Sequence, residues 1–149
     1  LKRLNAYFSD MVEIIHSHQG EIDKFIGDGI LAVFGLDGQP GEERAVRAAL
    51  AMIHRLRATQ DGWKIGIGIH CGEVVAGRIG SADRQEYTFI GDTVNTVARL
   101  ESVCKERGVT LVVSAAVFET LPAEIGAELG ENVLLNLRGK SAPITVRCL

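Results

Sequence analysis

Long apolar runs are missing from this 149-residue chain. The stretch from Ile30 to Leu36 is short and contains Gly35, far from the ~20 apolar residues that a membrane-spanning helix needs. A basic excess is missing too. Sixteen Lys and Arg face 19 Asp and Glu, for a formal charge of -3, so no basic face invites nucleic acid. Cysteine is sparse: Cys71, Cys104 and Cys148 are odd in number, widely separated and form no CxxC pair. A reduced, cytoplasmic protein with thiols acting as small apolar side chains is the economical reading. His16 and His18 stand two apart on a predicted helix and point to opposite sides, which disfavours chelation. His54 and His70 are isolated and read as structural. There is no internal repeat, low-complexity segment or linker. The start does not read as a signal peptide, because Lys2 and Arg3 lead into an amphipathic helix. Since the first residue is Leu1 and not Met, the chain is expected to be cut from a longer protein with regulatory domains outside it.

What is present suits one globular domain over residues 1–149, with 46% hydrophobic residues to build a single core. Leu1, Leu4, Phe8, Met11 and Ile15 recur at helical spacing and predict a helix over about 2–18, stopped by Gly20. GEIDKFIGDGILAVFG (20–35) reads as a hairpin with Asp28-Gly29 as a two-residue I′ turn. A second helix is predicted over about 42–59, with Ala45, Ala48, Ala49, Met52, Ile53 and Leu56 inward. Trp63 to Cys71 reads as a strand whose alternating glycines imply close approach of a backbone or ligand. Gly72 to Gly80 reads as a short helix or turn, and Glu86 to Ile90 as a strand. Asp92 opens a helix to about Arg107, capped by Gly108. Val109 to Val113 (strand), Ala115 to Leu121 (short helix) and a hairpin of Val133–Leu137 with Ile144–Cys148 follow. This order predicts an α/β sandwich, one sheet covered by helices. A strand before the first helix, as the βαββαβ pattern has, is not seen.

Three glycine patterns fall short of nucleotide-binding motifs. Gly66-Ile67-Gly68-Ile69-His70-Cys71 puts Cys71 where GxGxxG needs glycine, and Gly72 to Gly77 is followed by Arg78-Ile79 instead of Lys and Ser or Thr. Gly139-Lys140-Ser141 has the right ending, but Leu134 stands at the upstream glycine position.

Four polar residues could carry chemistry. Lys24 and Asp28 share strand parity about 13 Å apart, too far for an ion pair. Lys24 could also be an edge-strand gatekeeper, and Asp28 a turn residue. With Asp92 as N-cap, Asn95 and Arg99 lie on one helix face, opposite a buried Val97. They could simply assist the cap and snorkel into solvent, or face a phosphate near the helix N-terminus.

These residues sit in GEIDKFIGDGILAVFG, WKIGIGIHCGEVVAGRIG and EYTFIGDTVNTVARLE, which closely resemble the catalytic domain of class III nucleotide cyclases. The resemblance runs from the LNAYF helix to the closing LRGKSAPITVRCL. It implies a ferredoxin-like βαββαβ sandwich with one mainly antiparallel sheet. It also implies two Mg²⁺ (or Mn²⁺) ions per site held by two carboxylates, with Asp28 matching the second. Asn95 and Arg99 match the transition-state pair, and Lys140 more loosely matches the lysine on the terminal phosphates. Lys24 and Thr88 match the purine-reading pair, in a form that resembles cyclases taking ATP, the threonine resembling the bicarbonate-responsive subgroup. The resemblance further implies a head-to-tail homodimer with shared sites.

One departure stands out. The first metal carboxylate belongs on the missing first strand, and Asp10, Asp23 and Asp92 are poor substitutes: on a helix, facing away along the strand, and at a cap. The chain alone is therefore expected to bind Mg²⁺ poorly and turn over little. The readings carried forward are an adenylate cyclase, a cyclase-homology module that dimerises or regulates without turnover, and, discounted by Lys24, a guanylate cyclase.

Overall fold

A computed structural model describes residues 1–59 and 62–149. They form two compact units, Leu1–Ile65 and Gly66–Leu149. The mixed α/β class is the expected one.

The first unit holds α1 (Lys2–Ser17), β1 (Gly20–Ile26), β2 (Gly29–Phe34) and α2 (Glu42–Thr59). The apolar stripe of α1 buries Met11, Ile14 and Ile15, and the helix packs on α2 and β1. Phe8 meets Phe25 edge-on at 5.3 Å, and Tyr7 lies 5.0 Å from Trp63. An Asp10–Arg55 ion pair at 3.1 Å ties α1 to α2. On α2, Val46 is fully buried with Ala48, Ala49, Met52 and Ile53, whereas the predicted Ala45 and Leu56 are only half-buried. The stop of α1 falls on Gln19, in the left-handed region at φ 61°, and not on Gly20. Gly20 is glycine for another reason: a Cβ there would sit 2.5 Å from the Phe34 ring.

The β1/β2 hairpin differs from expectation at its tip. Ile26 pairs with Gly29, so the two turn residues are Gly27 and Asp28. Gly27 alone takes positive φ, +60°, which fits a II′ pattern better than the I′ turn expected of Asp28-Gly29. The ladder also slips between Ile22 and Lys24, a bulge that breaks side-chain alternation at Asp23.

The second unit contains β3 (Ile67–Ile69), β4 (Val75–Gly80), β5 (Gln85–Ile90), α3 (Asp92–Arg107), β6 (Leu111–Ser114), α4 (Ala115–Phe118), α5 (Ala123–Gly126), β7 (Val133–Leu135) and β8 (Ile144–Cys148). A sheet runs β3-β6-β8-β7, parallel at β3/β6 and antiparallel elsewhere. Helix α3 packs on β3 and β6; its Leu100, Val103 and Cys104 join Val112, Leu135, Leu137 and Val146 in one core cluster. Gly68 is the contact point. A Cβ there would lie 2.6 Å from the Glu101 nitrogen and 2.8 Å from the Val97 oxygen, so Gly68 answers to a helix backbone, whereas a Cβ at Gly66 would first meet the Cys104 side chain at 3.0 Å. Thr96, and not Val97, is the fully buried residue of that part of α3.

The strand expected over Trp63–Cys71 shortens to Ile67–Ile69, and the expected helix or turn over Gly72–Gly80 is instead β4, paired antiparallel with β5. Ladder hydrogen bonds with β5 override the turn tendency of its glycines. The short helix after β6 ends at Phe118, and α5 was not anticipated. Pairing among the described residues is spread over three sheets, two of them two-stranded hairpins that close their bonds between sequence neighbours. No described helix is long and apolar enough to cross a membrane, and all three cysteines are free thiols.

Candidate active site

The hairpin of the first unit presents Lys24 from β1 and Asp28 from the turn. Because Gly27 absorbs the left-handed backbone, the Asp28 carboxylate stands exposed at the tip. Tyr7 feels it: burial, and then the charge of Asp28, push the Tyr7 hydroxyl pKa upward. Asp23 does not face away as strand alternation predicts. The bulge brings its nearly buried carboxylate to 3.6 Å from the Lys24 Nζ, so an aspartate already orients this lysine.

Helix α3 organises the second unit's residues. Gly91, at φ 133°, is the N-cap; Asp92 is the first helical residue and not the cap the sequence suggested. That change frees its carboxylate, which ion-pairs with the Lys140 Nζ. Hydrogen bonding from Lys140 holds the Asp92 carboxyl below its usual range, and the charges of His70 and Arg99 act the same way. One and two turns along, Asn95 and Arg99 share a groove of about 280 Å³ with Ala98 and Ser102. The loop carrying Lys140 meets α3 at two points, Asp92 and Arg99. Gly139, at φ +82°, backs directly onto the Arg99 guanidinium, where a Cβ would meet a terminal nitrogen at 3.1 Å. Asn95, Arg99 and Lys140 are thus brought together although more than 40 residues separate Lys140 from Asn95 in the chain. Thr88 lies on β5, 7% exposed, facing Gly77 across the ladder.

Two participants escaped the sequence reading. His70 Nδ1 is 2.8 Å from the Ser114 Oγ, and burial first, then Lys140, lower its pKa while Asp92 opposes them. The Asp92 partnership with Lys140 was the other; a carboxylate so close to the predicted helix start reads as a cap.

The chain matches the Adenylate and Guanylate cyclase catalytic domain over residues 1–147 and belongs to that family. An uncharacterized protein of Mycobacterium tuberculosis is 35% identical over 146 residues, covering 97% of this chain and 27% of the relative. The structure of a bacterial light-regulated adenylyl cyclase aligns at TM-score 0.75 and 29% identity, covering 97% of this chain and 43% of that one. A guanylyl cyclase, Cya2, aligns at TM-score 0.70 and 29% identity, covering 99% and 78%. The chain therefore spans about a quarter of the length of the curated relatives it matches, and its structural relatives include cyclases for both purines.

Proposed function

We propose that this chain is the catalytic domain of an adenylate cyclase, in which the ribose 3′-hydroxyl of ATP attacks the α-phosphorus in line and expels pyrophosphate to give 3′,5′-cyclic AMP. The observation that carries this reading is one face of α3, where Asn95 and Arg99 line a groove, Gly139 packs on the Arg99 guanidinium and Lys140 meets Asp92 at the helix start. Asn95 hydrogen-bonds and orients the ribose. Arg99 neutralises charge gathering on the α-phosphate, and Lys140 takes the terminal phosphates. Such phosphoryl transfer depends on positioning and charge more than on covalent help from the protein. Lys24, held by Asp23, donates to the adenine N1 acceptor. Guanine presents a donor there, so the lysine favours ATP; Thr88 completes the base pocket.

The exposed Asp28 fits as one ligand of a Mg²⁺ or Mn²⁺ pair, since such ions take few carboxylates and fill their coordination from substrate phosphates. Bound metal supplies Lewis acidity at the 3′-hydroxyl and triphosphate. In this reading a second carboxylate joins Asp28 in holding the pair, and substrate phosphates fill the remaining coordination positions. Two such domains share their sites in a homodimer, in a reduced cytoplasmic setting that suits three free thiols. The second reading is a cyclase-homology module that dimerises or regulates without turnover.

Turnover by the full-length protein with ATP against GTP, in Mg²⁺ or Mn²⁺, decides between them. Cyclic AMP is the expected product, and Asp28→Ala is expected to abolish it with circular dichroism unchanged. Cyclic GMP alone would overturn the base assignment, undiminished turnover by Asp28→Ala the metal assignment, and no product at all the enzyme reading.

A further inference from the structure

The ammonium proposed for the terminal phosphates is already occupied by an anion from its own chain. The side chain of Asp92 is 75% exposed, yet its carboxylate is bound to the Lys140 Nζ. The same carboxylate sits at the first position of α3, where unpaired backbone N–H groups favour negative charge. On its other side the Lys140 loop backs onto Arg99. The three features describe an anion subsite filled by a tethered carboxylate. We propose that Asp92 is a stand-in for the substrate's terminal phosphates, holding Lys140 in place when the site is empty and competing with polyphosphate for it.

This rests on the assignment of Lys140 above and adds to it a regulatory element. A phosphate arriving at Lys140 displaces a carboxylate and meets its repulsion. Occupancy by a weak anion keeps the lysine from collapsing onto other partners and sets a threshold for polyphosphate affinity. Asp92 is a positioning residue in this scheme, since it touches Lys140 and is displaced before substrate settles. An exposed ion pair is readily exchanged, as such a role requires.

Inorganic tripolyphosphate is the probe, its binding to the full-length protein measured by calorimetry in metal-free buffer. Asp92→Asn keeps the shape and removes the charge, and it is expected to tighten tripolyphosphate about two- to five-fold, the range open to an exposed ion pair. Lys140→Met is expected to weaken binding, and adding Asp92→Asn to it should recover little. A merely structural Asp92 could lower thermal stability but would not tighten anion binding. Unchanged or weaker binding by Asp92→Asn overturns the proposal, as does equal tightening in both backgrounds, which would mark a general charge effect. If Lys140→Met leaves tripolyphosphate binding unaltered, the phosphate role of Lys140 falls and this inference with it, while the roles of Asn95 and Arg99 stand.

Discussion

His70 shows how one half-buried ring can tie the candidate site to the sheet beneath it. Its contact with Ser114 links the end of β3 to β6, and its neutral form is favoured by burial and by Lys140. The folded-state pKa therefore lies below the ordinary 6.5. Below 6.5 the unfolded chain binds more protons than the folded one, so stability falls as pH drops from 6.5 through the folded value and is fully present above 6.5. Thermal melts of the wild type should lose stability across that window. His70→Gln, which still reaches Ser114 with an amide, should flatten the slope; equal slopes would show that the ring does not titrate with folding. An isolated histidine is all that the chain shows of this link before folding, because Ser114 lies 44 positions away.

Elements were legible where the pattern was long and local. The stripe of α1 and the run of α2 specify their helices without help, and Gly108, at φ 65°, closes α3 as its sequence implies. Short strands were less legible. β4 is rich in glycine and gains its form from β5 across the ladder, while β3 keeps only three strand residues of the nine anticipated. The chemistry of the Gly66–Gly68 stretch was readable in part: close approach was inferred, but not that a helix backbone makes it. Gly68→Ala tests that contact directly. The added methyl would meet the backbone of Val97 and Glu101, which cannot rotate away, so a loss of about 1–3 kcal/mol is expected. Denaturant midpoints measure it; a neutral result would mean that α3 shifts freely over β3.

At the scale of the whole molecule, the candidate residues divide by unit. Lys24 and Asp28 belong to Leu1–Ile65, whereas Thr88, Asn95, Arg99 and Lys140 belong to Gly66–Leu149. In the homodimer proposed above, each site would take its metal ligand from one chain and its base reader and transition-state residues from the other. Arg99→Ala is then expected to cost about 10²–10³ in rate, by analogy with lost oxyanion donors. Asp28→Ala should be inactive by itself. Mixing the two inactive variants puts both lesions in one site of the heterodimer and leaves the other intact, so partial cyclase activity should return. Its absence, where heterodimers are demonstrated by mass, would count against shared sites. Motif order made the family visible from sequence; the Asp92–Lys140 and Asp23–Lys24 pairs were not, since a displaced cap and a bulge are tertiary outcomes.

The turn at Gly27–Asp28 assigns its two duties to different residues. Gly27 bears the backbone conformation, and Asp28 is left with none that a neutral side chain could not fulfil. Shape and reactivity at this tip are therefore separately heritable: a single replacement at Asp28 could silence the reaction while the hairpin went on folding as before. On the metal role proposed for Asp28, a cyclase-like protein with no turnover would lie one substitution away from an active one.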